Sequence, residues 1–263
     1  RNKTIMLKPI SDYNLFKLNF KKEFYSFLES YPIFKFFLYE TLVEGTAYVI
    51  GGYLRDIANK KASRDLDIIF NLPSNRLISI LTNSKLKFNI NRMGGAKIDL
   101  CDYQVDLWSF ENNWSFRNNL VKLNEQYIVE NIAEGCFYNF DSLVMNINKL
   151  ELCSKYYNEC VEKMELDIIQ KNDNYKKLNP TIEANILRAI FLHIKYDLQY
   201  SQNCKDYLQR RLFHLKYQYQ EFAYHIIAIK RKYPKYDHEL SDEVLIDNIK
   251  NIMKDNPQLS LFL

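Results

Sequence analysis

Apolar positions recur first at helical spacing, then in short runs, then at helical spacing again, which predicts helices, an α/β layer and a helical second half. Ser11-Asp12 is a plausible N-cap for a helix carrying Leu15, Leu18, Phe24, Phe27 and Leu28. Pro32 starts a second helix, Ile33 to Val43, with Phe36, Phe37 and Leu42 apolar and Gly45 as its C′ residue. The aromatic stripe on these helices reads as core packing. An apolar run, Tyr48 to Ile50, then stops at Gly51-Gly52, where a backbone without Cβ can turn sharply. Leu54, Ile57 and Ala58 follow at helical spacing, and Asp65-Leu66-Asp67 leads into the strand residues Ile68-Ile69-Phe70. Pro73-Ser74-Asn75 marks a turn before a covering helix, Arg76 to Thr82. Ala96 to Leu100 and Gln104 to Phe110 form a hairpin about Cys101-Asp102-Tyr103, and Leu143 to Ile147 and Leu150 to Cys153 form another.

In the second half, Asn179-Pro180 caps a helix running through Ile190. From Asn203 a single amphipathic helix is expected to about Lys232, with Leu208, Leu212, Leu215, Phe222, Ile226 and Ile229 inward. Arg210, Arg211, Lys216, Lys230, Arg231, Lys232 and Lys235 lie on or just beyond it, interleaved with Tyr207, Tyr217, Tyr219, Tyr224, Tyr233 and Tyr236. That mixture suits either a strand of nucleic acid or an ordinary solvated helix exterior. Ser241 caps a last helix through about Lys254, which Asn256-Pro257 breaks.

The chain's 263 residues, 47% hydrophobic and 15% aromatic, suffice for a sizeable core and for two small domains or one elaborated one. There is no run of eighteen apolar residues, and the first residues are polar and basic, so neither a membrane span nor a secretory signal is expected. Five scattered cysteines without a Cys-x-x-Cys indicate neither a disulfide framework nor a zinc cluster, and a reducing cytoplasm fits best. The four histidines show no ligand spacing. A net charge of +4 is compatible with a polyanionic partner without requiring one.

Candidate chemistry concentrates between Tyr48 and Phe70. The glycine pair opens a helix whose unpaired N–H groups can hold an anion, phosphate first among them. Strand alternation sends Asp65 and Asp67 to one face and Leu66 to the other. Two close carboxylates repel, and a hard divalent cation bridging them to phosphate oxygens relieves that repulsion. A bare Asp-x-Asp also occurs as a solvated strand end, but here a Gly-Gly-x-x-Arg-Asp element lies just upstream.

Gly51-Gly52-Tyr53-Leu54-Arg55-Asp56 followed by Asp65-Leu66-Asp67 resembles the head domain of the class II tRNA nucleotidyltransferase and poly(A) polymerase family, within the DNA polymerase β-like nucleotidyltransferase superfamily. Arg92 to Ile98 resembles that family's Gly-Thr strand, and Ile186 to Ile190 its neck helix. The resemblance implies a Mg²⁺-dependent nucleotidyltransferase, with Mn²⁺ an alternative ion. Asp65 and Asp67 would hold two ions, and Asp106 would complete the metal set as the third carboxylate and assist deprotonation of the acceptor hydroxyl. Asp99, alternating on the same hairpin, is its rival. Gly51, Gly52 and Arg55 would cradle the triphosphate of an NTP or dNTP, and Asn185 and Arg188 would lie nearest the base.

The chain departs from the family pattern at two places. Tyr138-Asn139-Phe140-Asp141-Ser142-Leu143 stands where the family has an Arg-Arg-Asp and keeps only the Asp. Thr181, Ile182 and Asn185 replace the Glu-Asp-x-x-Arg that reads CTP or ATP in tRNA nucleotidyltransferases, so ordered C, C and A addition is not expected. The acceptor is an RNA 3′ end or another nucleotide, the latter implying a short signalling oligomer in bacterial antiviral defence. A catalytically silent nucleotide- or nucleic-acid-binding module is a further alternative.

The expected architecture is α+β: a polymerase β-like head, a mixed sheet with helices, followed by a mainly helical neck and body. Its expected segments are N-terminal helices at 1–44, a catalytic head at 45–155, a helical neck and body at 156–255 and a tail at 256–263. Within the tail, Gln258-Leu259-Ser260-Leu261-Phe262 resembles the pentapeptide that docks bacterial proteins on the sliding clamp, although its leucines could equally fold back onto the core.

Overall fold

The structure, a computed structural model, describes residues 7–170 and 181–254. The chain divides into two compact units, one spanning residues 7–162 and the other residues 163 onward.

The first unit opens with α1 (Tyr13–Ser30) and α2 (Pro32–Glu44). Asp12 caps α1 as expected, its Oδ1 accepting the Leu15 N–H at 2.9 Å. The buried face differs from expectation: Phe16 and Phe20 join Phe24, Phe27 and Leu28 inside, whereas Leu15 and Leu18 point outward. The four phenylalanines, spaced by four, four and three residues, form one helical stripe, and Leu15 and Leu18 fall off it. In α2, Phe34, Phe37 and Leu38 are buried and Phe36 is exposed, so the aromatic stripe is only partly core. Gly45 follows α2 but not as a left-handed C′ residue; its φ of −157° is extended. Space is what requires glycine there, because a Cβ would meet Leu72 Cγ at 2.8 Å and the Asn71 carbonyl at 3.0 Å.

The chain then lays down β1 (Ala47–Ile50), α3 (Gly52–Ala58), β2 (Asp65–Phe70), α4 (Ser74–Asn83), β3 (Phe88–Ile90), β4 (Ala96–Asp99) and β5 (Gln104–Ser109). After α5 (Trp114–Arg117) and α6 (Ile128–Glu134) come β6 (Val144–Asn146), β7 (Leu152–Cys153) and α7 (Lys155–Lys163). The seven strands form one mixed sheet, in the order β3-β4-β5-β2-β1-β6-β7. Within it β2 and β5 run parallel and every other neighbouring pair antiparallel. One face is uniformly apolar: Leu66, Ile68, Phe70, Val105, Leu107, Ala47 and Val49 are all completely buried, and Phe37 of α2 meets Phe70 with ring centroids 6.2 Å apart. The opposite face is divided. Tyr48 and Ile69 pack beneath Val129, Ile132 and Ala133 of α6 in a cluster that includes Val144, Ile50 and Trp108, while Asp65, Asp67 and Asp106 lie further along that face.

The second unit contains a short parallel pair, β8 (Glu165–Leu166) and β9 (Gln199–Tyr200), with α8 (Ile182–Tyr196) between them. Thr181 is the residue that caps α8, accepting the Ala184 N–H at 3.2 Å; Asn179 and Pro180 lie outside the described residues. The single helix expected to Lys232 is two helices, α9 (Gln202–Gln218) and α10 (Phe222–Lys230). Tyr219 leaves helical geometry at φ −126°, ψ 121°. The turn lets its ring stack on His225 at 3.9 Å, and His225 Nε2 lies 2.8 Å from Glu183 of α8. Then α11 (Pro234–Glu239) and α12 (Asp242–Lys254) follow, the latter capped by Ser241 through the Val244 N–H. Lys230, expected on a basic surface, is buried. Its ammonium donates to the Leu240 carbonyl at 2.8 Å and pairs with Asp242 at 2.7 Å and Asp237 at 3.3 Å, joining α10 to α11 and α12.

The crowding at Gly45 gives a stability prediction. Gly45→Ala should cost about 1–3 kcal/mol in urea unfolding, the usual range for overpacking. The cost should shrink in a Leu72→Ala background, because the clashing methyls are gone. Strictly additive effects would show that the Leu72 contact is not the cause.

Candidate active site

Three strands bring the sequence-predicted carboxylates to one face. β1 pairs antiparallel with β2 so that Ile50 lies opposite Asp67, and β2 pairs parallel with β5 so that Asp67 lies opposite Asp106. Directly paired residues share a sheet face, and alternation adds Asp65 to it. Adjacent strands are about 4.8 Å apart, so Asp106 is the immediate neighbour of Asp67. Asp99 shares the face but sits across Gln104 from Asp65, one strand further out at about twice that spacing. The register therefore favours Asp106 over its rival.

These acids share one region of negative potential. Burial raises the Asp106 carboxyl above its ordinary pKa; Lys97, its cross-strand partner on β4, pulls it back, and the charge of Asp65 raises it again. Burial also raises Asp56, with the Arg55 charge opposing and Asp65 adding to the rise. A cation beside Asp106 would offset the burial that disfavours its ionised form. The donor set consists of oxygens, which suits a hard divalent ion. Among the described residues no three His, Cys, Asp or Glu side chains converge on one point in metal-ligand geometry.

The turn between β1 and α3 lies beside these acids. Gly51 has φ +68° and ψ −120°, a conformation L side chains rarely adopt, and its N–H donates to the Leu143 carbonyl at 2.9 Å. A Cβ on Gly52 would stand 3.7 Å from Asp65 Oδ1, so the turn and the first acid are in contact range. Arg55, expected to face a triphosphate, is only 7% exposed. Its Nη1 donates to Asp141 Oδ1 at 2.9 Å and to the Phe140 carbonyl at 3.3 Å, and its guanidinium lies 4.3 Å from the Phe140 ring centroid. Arg55 thus ties α3 to the segment from Asn139 to Asp141, and that segment packs back on Gly51, whose Cβ would meet the Asp141 carbonyl at 3.5 Å.

Two further residues escaped the sequence reading. The Asp65 carbonyl accepts from Ser63 Oγ at 3.0 Å and from the Tyr103 hydroxyl at 3.3 Å. The Tyr103 ring packs on Phe27 at 4.8 Å, so the hairpin turn between β4 and β5 both braces Asp65 and contacts α1. Neither residue carries a motif signal; the tyrosine's place in a turn whose second strand bears a candidate acid was the available hint.

In the second unit, Asn185 is 5% exposed and Arg188 half-buried, both on α8. The interleaved aromatic set divides: Tyr217 and Tyr224 are exposed, whereas Tyr207 is buried with the core. Gln258 to Phe262 lie outside the described residues, so the structure places no clamp-docking motif. No described helix is long and apolar enough to cross a membrane.

No family model and no curated protein matches the chain by sequence. Solved structures do match. A CCA-adding enzyme in complex with ATP superposes with a TM-score of 0.57 at 12% identity, over 94% of this chain and 55% of that one. The mixed sheet followed by helices matches the fold of a nucleotidyltransferase head and helical body. A tRNA nucleotidyltransferase with a primer tRNA and an incoming ATP analogue matches at TM-score 0.56 and 12% identity, over 82% of this chain and 60% of that one. A tRNA-processing enzyme in an apo form matches at 0.55 and 13%, over 80% and 52%. The chain thus spans little more than half the length of these structures, and at such identities the likeness is one of fold.

The Arg55–Asp141 pair predicts a coupling within the head. With Arg55 buried and Asp141 partly exposed, Asp141→Leu should cost about 2–3 kcal/mol in urea unfolding, much of it from stranding a buried guanidinium. Adding Arg55→Met should recover part of that loss. Additive losses would mean the two side chains do not depend on each other.

Proposed function

We propose that this chain transfers a nucleoside monophosphate from an NTP or dNTP to a hydroxyl acceptor, with pyrophosphate leaving, in a reaction that needs a divalent cation. The single observation that carries this reading is the strand register that sets Asp65, Asp67 and Asp106 side by side, with the Gly51-Gly52 turn against Asp65. Asp65, Asp67 and Asp106 would hold Mg²⁺, with Mn²⁺ an alternative, to supply charge neutralisation at the phosphates.

Each of the chain's own residues then has a distinct task. Asp106, whose carboxyl is already pushed toward holding a proton by burial, would accept the proton of the attacking hydroxyl. Gly51 and Gly52 present backbone rather than side chain toward the triphosphate. Arg55 acts at one remove, holding the turn through Asp141. Ser63 and Tyr103 hold the Asp65 backbone, which limits how far its carboxylate can wander.

The structural neighbours include complexes with ATP and with a primer tRNA, which supports a nucleotide donor and an RNA acceptor here. Because Thr181, Ile182 and Asn185 replace the charged base-reading set, we infer preference for one nucleotide or loose selectivity, with Asn185 and Arg188 the residues to vary first. The intact acids argue against a silent binding module.

Two measurements test this reading. Asp67→Ala should lower cation-dependent pyrophosphate release from NTPs by about 10³-fold, equivalent to several kcal/mol of lost transition-state stabilisation, while leaving the far-ultraviolet circular dichroism unchanged. Unaltered turnover would remove Asp67 from the chemistry. Incubating the protein with each labelled NTP and dNTP, with and without RNA, should give extended RNA; oligomers formed without RNA would identify a nucleotide acceptor instead. Ordered addition of C, C and A to a truncated tRNA would refute the inference on selectivity.

A further inference from the structure

Two helices covering the sheet carry an apolar face that no described residue covers. α2 is rich in large apolar residues on its outer as well as its inner side. Ile33, Phe36 and Tyr39 are about half exposed and Val43 is 87% exposed. α1 runs beside α2 with Leu18 and Tyr25 likewise exposed. A groove of about 640 Å³ lies between the helices, walled by Leu18, Tyr25, Tyr39 and Leu42, with Ile147 and Leu150 also lining it. An unpartnered apolar face of this kind marks an interaction surface, and its aromatic content is the kind enriched at interface cores.

The charges around the groove indicate what covers it. Lys21 and Lys22 of α1 are the charged residues among its lining. On the same pair of helices Lys35 is bound to Glu29, and Glu44 to Arg76. Lys21, Lys22 and Glu40 are exposed and have no ion-pair partner among the described residues. The face is therefore basic along α1, acidic at Glu40 on α2 and mainly apolar between, where the Lys35 ammonium lies 5.3 Å from the Tyr25 ring centroid and 5.7 Å from that of Tyr39 but is paired with Glu29. A membrane or a nucleic acid would complement the lysines and oppose Glu40. A two-fold axis running along the groove, by contrast, sets α1 of one copy against α2 of the other, so that basic edge meets acidic edge twice.

We propose that this face is a homodimer interface, in which the α1–α2 groove of one copy packs on that of a second, with Lys21 and Lys22 of each opposite the partner's Glu40. The apolar stripe supplies the buried area, and the two charge contacts set the orientation.

Sedimentation equilibrium on the full chain tests this directly, and the expected mass is twice the chain's 31.6 kDa. Phe36→Glu with Val43→Glu, both at exposed positions, should yield the monomer with an unchanged melting profile. Lys21→Glu/Lys22→Glu and, separately, Glu40→Lys should each weaken self-association at least about tenfold, because each sets like charges face to face twice. Mixing those two variants should restore association, since both contacts in the mixed dimer again join opposite charges. A wild-type chain that stays monomeric at its highest soluble concentration would overturn the proposal. So would a mixture that associates no more tightly than its components.

Discussion

The parallel pairing of β2 with β5 is the constraint on which the candidate site depends. A one-residue slip in that register would send Asp106 to the apolar face and break the row it makes with Asp67. The slip is opposed by burial on the other face, where Leu66, Ile68 and Phe70 on β2 and Val105 and Leu107 on β5 are closed off from water. Exposing those side chains and burying carboxylates in their place would cost many kcal/mol, at roughly 1.5–3 kcal/mol for each large apolar side chain alone. The core therefore fixes the position of the acids, and packing and chemistry are enforced by the same alternation.

Around that row the protein holds its functional backbone with side chains that do not themselves reach outward. Arg55 Nη1 holds Asp141 and Phe140, and through them the turn at Gly51. Ser63 and Tyr103 share the Asp65 carbonyl, and Tyr103 extends that support to Phe27 of α1. The opening helices thus do more than cover the sheet: α1 contacts the hairpin turn that braces the first acid, while its outer side and that of α2 remain apolar and open. Such supporting contacts are what a site needs if its reacting groups are to keep their geometry.

Much of this was legible in the sequence because it rests on local rules. Period-two alternation placed Asp65, Asp67 and Asp106, the Gly-Gly pair located the turn, and Asp12, Pro32 and Ser241 marked their helices. Asp106, preferred over Asp99, alternates on the same hairpin as its rival, and the pairing with β2 separates them. The misses came from non-local effects. Arg55 pairs with Asp141, 86 residues later, a contact that no local pattern announces. Lys230 reads as a surface cation because nothing nearby in sequence announces that α11 and α12 close over it. Gly45 looked like a helix cap by position but is required by the bulk of Leu72. In each case tertiary context decided between two locally acceptable roles.

If this register builds a cation site from Asp65, Asp67 and Asp106, Asp99 stands outside it. Mn²⁺ binding followed by electron paramagnetic resonance, with a non-hydrolysable NTP present, tests this without relying on turnover. Saturable binding is expected for the wild-type chain, weakened at least about tenfold in Asp106→Asn and unchanged in Asp99→Asn. Equal binding by all three proteins, or loss in Asp99→Asn with Asp106→Asn intact, would contradict this expectation.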